Sequence, residues 1–169
     1  MLAAMKIRTA CSADATAIAA FNTQLAWETE QLKLDAKTIL AGVRAVLKDP
    51  TKGTYFVAEH QDAVIGQLLI TYEWSDWRNG NVWWIQSVCV AAAHRQSGVF
   101  RTLFAHVQTL AQSSRDACGL RLYVEKHNRR AQSAYSKLGM TKTPYEVFEI
   151  ERRRKTKLAR SHSRAKLRA

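Results

Sequence analysis

The sequence predicts an α/β fold with a mixed sheet that contains one parallel β-α-β crossover. Three observations lead there. Stretches rich in β-branched and aromatic residues alternate with stretches of helical apolar spacing, in the order strand, two helices, three strands, helix, strand, helix, strand. The segment from Trp83 to Phe104 runs from a strand-like stretch, through the polar turn Arg95-Gln96-Ser97-Gly98, into a helix with apolar positions at 99, 100, 103, 104 and 107. At 169 residues, with 47% hydrophobic and 24% charged content, the chain is long enough for one domain with a packed core.

Each element has a local reason. Lys6 to Ala10 reads as the first strand. Ser12 or Asp14 caps a helix whose apolar face is Ile18, Phe21, Leu25 and Trp27. Asp35 caps a second helix, which stops at Lys48-Asp49-Pro50 because proline cannot continue it. Thr54 to Glu59 and Val64 to Trp74 form a hairpin around His60 to Ala63, with Gly66 marking a bulge or a close backbone approach. Ser75 to Asn81 is a loop. The central strand comes next and reads as buried on both faces, followed by a helix from Val99 to about Ser114. Leu120 to Val124 is a strand after a break at Cys118-Gly119, and the unit 82–124 is a right-handed crossover. Arg130 to Leu138 is a short helix stopped by Gly139, and Tyr145 to Ile150 is the last strand.

Composition narrows the function. The three cysteines form no C-x-x-C pair and are odd in number, which argues against a disulfide framework and fits a reducing, cytoplasmic setting. The five histidines have no metal-ligand spacing, so no metal is expected. No apolar run is long enough to span a membrane, and the start is too short and too early-charged for a signal peptide; Met5 is an alternative start to Met1. The net charge of +12 is uneven: residues 152–169 hold nine Lys/Arg and no acid, leaving 17 basic against 14 acidic residues elsewhere. Residues 1–150 are therefore read as the domain and 151–169 as a basic tail, either a solvated extension or a grip on nucleic acid, the ribosome or another anionic surface.

The turn at 95–98 is the chemical centre. A strand that enters a glycine turn and then a helix leaves amides free at the helix start, and the helix dipole favours an anion there. Arg95 and Arg101 add positive charge, and Gly98 lets the backbone approach a ligand. The turn lacks the Lys-Ser/Thr of a P-loop and is not G-x-G-x-x-G.

Arg95-x-x-Gly98 resembles the pyrophosphate-binding motif of the GNAT superfamily of N-acetyltransferases, with Phe100 where that pattern has a second Gly or Ala. The run Asn128-Arg129-Arg130-Ala131-Gln132-Ser133-Ala134-Tyr135-Ser136-Lys137-Leu138-Gly139-Met140 resembles the family's Asn-x-x-Ala-x-x-x-Tyr-x-x-x-Gly-Phe segment, with Met140 in the last apolar place. The element order resembles that of the family over about residues 5–150. The resemblance implies a three-layer fold, with a mostly antiparallel mixed sheet and helices on both faces. It implies acetyl-CoA as co-substrate and an amine as acceptor, joined in a ternary complex, and it allows a homodimer.

The resemblance also assigns residues. Arg95, Gln96, Ser97, Gly98, Val99, Phe100 and Arg101 would hold the pyrophosphate. The pantetheine arm would pair with the backbone of Val88, Cys89 and Val90, where a free amide at Val88 or Val90 would polarise the thioester. Asn128 would contact CoA, or simply cap its helix. Tyr135 would protonate the leaving thiolate, or else fill core within the stripe Ala131, Ala134, Tyr135, Leu138. Cys89 as an acetyl carrier lacks an evident base partner. The position of the strand glutamate used by histone-type members falls at Trp84, which cannot serve. Gln86 can hold a water, and Glu28, Glu30, Glu73 and Asp76 remain as candidates on the acceptor side, with a water chain to bulk as an equal alternative and no single base singled out. Glu73, with the aromatic loop Tyr72 to Gly80, and Glu28 and Glu30, beside Trp27, can hold a cationic amine by ion pairing and cation–π contact, or else the tryptophans cover the sheet and the acids are solvated. The competing reading is a GNAT-like module that binds CoA or nucleic acid and has lost turnover.

Overall fold

The computed structural model describes residues 5–150. Five strands form one sheet in the order β1 (Lys6–Thr9), β2 (Thr54–His60), β3 (Ala63–Ser75), β4 (Gly80–Val90) and β5 (Ala117–Leu122). Neighbours are antiparallel except β4 and β5, which run parallel across helix α3 (Val99–Ser113). Helices α1 (Ala15–Glu30) and α2 (Ala36–Lys48) form the expected hairpin, and α4 (Arg129–Lys137) follows β5.

The sheet separates two cores, which makes the three layers. On one face Ile18, Ala19 and Val43 of α1 and α2 pack on Tyr55, Val57 and Leu69. On the other Val99, Leu103, Phe104 and Val107 of α3 pack on Phe56, Leu68, Ile70 and Ile85. Alternation along β2 and β3 sends successive side chains to opposite cores, so the buried runs Tyr55 to Ala58 and Leu68 to Ile70 are apolar on both faces. The four α3 residues share one helical stripe, as the spacing requires.

The caps follow the sequence in part. Asp35 accepts from the Thr38 amide and opens α2, and Pro50 starts a short 3-10 turn beyond its end. Asp14 stands at the N-cap of α1, but its carboxylate faces backwards, accepting from Nη1 and Nη2 of Arg8 and from the Cys11 amide. Gly66 is both things expected of it. The β2–β3 register shifts opposite it, and a Cβ there would stand 2.9 Å from Val99 Cγ1, so its bareness lets the first turn of α3 approach the sheet.

Three expectations are corrected. Strand β5 runs through Cys118 and Gly119, and Tyr123 and Val124 lie beyond its end. Pairing with β4 overrides the local preference of glycine, as strand propensity is contextual. Tyr145 to Ile150 forms no strand, and Phe148 and Ile150 are 91% and 99% exposed. Its residues suit a strand, but no described strand lies alongside, and pairing is what makes a strand. Finally, β4 is not buried on both faces: Val82, Ile85 and Cys89 are buried while Trp83, Trp84 and Gln86 to Val88 are only partly so. The basic tail lies outside the described residues.

Candidate functional site

The turn before α3 is built by its backbone. Gln96 and Gly98 both take positive φ, 67° and 90°, which swings consecutive amides toward one side. Among the described residues, the amides from Gln96 to Arg101 have no hydrogen-bond acceptor, and the helix ladder starts with Thr102 donating to the Gly98 carbonyl. A Cβ on Gly98 would have only the Arg101 guanidinium within 4 Å, at 3.4 Å. The turn thus presents six donors, an open approach and a cation at the mouth of a helix of 15 residues. Phe100 does not fill it, because its ring packs on Phe104 and edge-on against Tyr135, 5.6 Å away. Ser97 spends its hydroxyl on the His94 carbonyl, 2.5 Å away.

The strand leading to the turn is open along one edge. Pairing of β4 with β5 ends at Ile85–Leu122, while pairing with β3 continues to Val90. Gln67 stands opposite Cys89 and Leu69 opposite Gln86, so Leu68 faces two residues, Ser87 and Val88. This is a β-bulge. Ser87 takes a φ of 49°, a left-handed conformation that costs a non-glycine residue about 1–2 kcal/mol. Beyond the bulge, the Ala91 amide donates to the Ile65 carbonyl of β3. By alternation Val90 and Val88 face the other way, toward the gap that β5 has left. The Val90 carbonyl there accepts from Arg95 Nε at 3.0 Å.

Tyr135 stands on α4 with its ring against Phe100. Burial pushes its phenol above the usual tyrosine range, so it keeps its proton at neutral pH, and its hydroxyl has no partner among the described residues. Asn128 caps α4 by accepting from the Ala131 amide. Cys89 is buried, and burial followed by the nearby Glu28 charge pushes its thiol up, which leaves it protonated.

The acidic candidates separate. Glu28 accepts from Gln24 and makes a bidentate pair with Arg95 Nη2 at 2.7 and 3.0 Å; these two partners, Gln24 first, hold its carboxyl below the ordinary range. Arg95 is therefore tied to α1 and to β4 and does not stand free at the turn. Glu73 accepts from Trp84 Nε1 and from Arg121, whose guanidinium lies 5.1 Å over the Trp84 ring, with Tyr123 stacked beside it. A cation of the chain itself thus occupies the aromatic and acidic groups around Glu73. Sequence reasoning missed Arg121 because parallel pairing of β4 and β5 brings it to Trp84. Gln86 donates to Thr71, Glu30 is exposed, and Asp76 accepts from the amide of Trp77, whose ring is 92% exposed and covers nothing. Among the described residues no three His, Cys, Asp or Glu side chains gather as a metal set, and no helix is long and apolar enough to cross a membrane.

Residues 14–140 match the Acetyltransferase (GNAT) family. The chain belongs to the GNAT family of acetyltransferases. Among solved structures, this GNAT chain is similar to a possible acetyltransferase from Clostridium difficile 630, with 43% identity over 89% of this chain and 99% of that one, and a TM-score of 0.84. It shares its fold, at 20% identity and a TM-score of 0.73, with an aminoglycoside N-acetyltransferase AAC(6')-Iy in complex with CoA, covering 88% and 95% of the two chains. A ribosomal-protein-alanine N-acetyltransferase from Brucella melitensis biovar Abortus 2308 has the same fold at 15% identity and a TM-score of 0.71, over 88% and 99% of the chains. No curated protein matches the chain.

Proposed function

We propose that this GNAT protein transfers the acetyl group of acetyl-CoA directly to a primary amine of a small molecule or peptide. The reading is carried by one observation: a run of unpartnered amides at the start of α3 adjoins a strand edge that its parallel neighbour has left. The amides of residues 96–101 suit the pyrophosphate, with Arg101 beside them. The open edge of Val88 to Val90 suits the pantetheine arm, which adds as a short strand. The Val88 or Val90 amide then faces the thioester carbonyl.

The amine lone pair attacks the thioester carbon, and the C=O electron pair moves onto oxygen, where a β4 amide stabilises it. Collapse of this adduct breaks the C–S bond. The departing thiolate takes the Tyr135 proton, which burial has kept in place. The amine must lose a proton. Glu28 suits that role poorly, since its partners favour the ionised form and Arg95 already engages both its oxygens. Water leading to solvent serves instead.

Thiol release from acetyl-CoA over a panel of amines tests the reading. Turnover by wild type is expected, with kcat falling about 10- to 100-fold in Tyr135→Phe. CoA binding without thiol release on any acceptor would instead support a binding module.

A further inference from the structure

The bulge that turns Val88 toward the gap is held from behind by a buried polar chain. Gln67 on β3 is fully buried. Its Nε2 donates to Asn22 Oδ1 of α1 at 2.7 Å and to the Ser87 carbonyl at 3.3 Å. Asn22 in turn donates to the Tyr55 hydroxyl at 3.0 Å, and the Ser87 side chain lies beside the same phenol. Three elements, α1, β2 and β3, thus converge on the one residue of β4 with left-handed backbone. Gln67 Oε1 is buried without a partner among the described residues. The amide is oriented nonetheless by the Ser87 carbonyl, a backbone acceptor against which the Gln67 oxygen would stand if the amide were turned over. Nothing in an apolar core calls for such a chain; a leucine at 67 would fill the space without burying an unpaired oxygen.

We propose that Gln67 is a positioning residue of the transferase: by holding the Ser87 carbonyl it fixes the bulge, and so aims the Val88 amide at the thioester oxygen. The inference rests on the acetyl-transfer reading above. The pull on Ser87 comes from the side away from the gap, so Gln67 touches neither substrate. Its effect should fall on the chemical step, since the diphosphate is held by the turn at 96–101, well past the bulge along the chain.

Gln67→Met keeps the length and removes the donor. Its kcat is expected to fall about tenfold or more, with KM for acetyl-CoA changed by less than about threefold and Kd for CoA unchanged. A merely structural residue would lower Tm and leave kcat per folded molecule intact. Coupling gives the second readout. Ser87→Gly relieves the left-handed strain, so Gln67→Met should lose clearly less kcat in that background than alone. Equal losses in both backgrounds, or a kcat for Gln67→Met within twofold of wild type, would overturn the inference. Should Gln67→Met not fold, Asn22→Ser, which removes the hold on Gln67 from α1, carries the same test: a fall in kcat at constant KM supports it and an unchanged kcat sinks it. Absence of turnover by wild type on any amine would count against the acetyl-transfer reading itself, whereas active wild type with indifferent variants counts only against Gln67.

Discussion

Two side chains decide between chemical routes. Tyr135 and Cys89 are both protonated at neutral pH, but only Tyr135 has a reason to be: direct transfer needs a proton donor, and an acetyl-carrier route needs a thiolate. Cys89→Ser is therefore expected to keep kcat within about threefold, with no acetyl-enzyme seen by mass spectrometry. A collapse of turnover would argue for a covalent route. A third side chain reports on stability. Asp14 is 6% exposed and its carboxyl lies below the ordinary range, first because of Arg8. A group lowered on folding stabilises fully above its unfolded pKa of about 3.9, and that stabilisation declines below this value and is lost as pH falls through the lower folded pKa. Asp14→Asn should cost about 1–3 kcal/mol in urea unfolding at pH 7. The gap to wild type should narrow below about pH 4; a gap that stays constant with pH would contradict the charge argument. Backbone features were legible where the sequence marked them, at the Gly98 turn and the Asn128 cap. The partners of Arg95 and Glu73 were not, because Glu28 is 67 residues from Arg95 and Arg121 is 48 residues from Glu73 in sequence, and only folding joins them.

At the scale of elements, the site depends on how closely α3 meets the sheet. Gly66 allows that contact, so Gly66→Ala should push on Val99 and move the amide turn. Overpacking of this kind costs about 1–3 kcal/mol, and each kcal/mol lowers Tm by about 2–4 °C in a chain of this size. KM for acetyl-CoA is expected to rise several-fold while kcat at saturation changes less. Unaltered KM with lowered Tm would mean that the turn is indifferent to this contact. Helices and antiparallel strands could be read from spacing, caps and turn residues, because those signals are local. The splay of β4 from β5 and the bulge at Ser87 could not. Serine is no marker for positive φ, and the end of a strand pair depends on both strands.

Across the whole molecule, the three layers follow from two apolar helix faces and a sheet apolar on both sides. The order of elements was readable nearly to its end, failing at Tyr145 to Ile150, where pairing rather than composition decides. The open edge of β4 leads into the turn at 96–101, where Phe100 meets the Tyr135 ring, and the account stands on that turn. The most direct measurement is the amide NMR spectrum during titration with CoA. The amides of residues 96 to 101 should shift together and saturate with the ligand, as donors that gain a diphosphate. Saturable CoA binding that leaves those six amides unmoved while others shift would contradict the account.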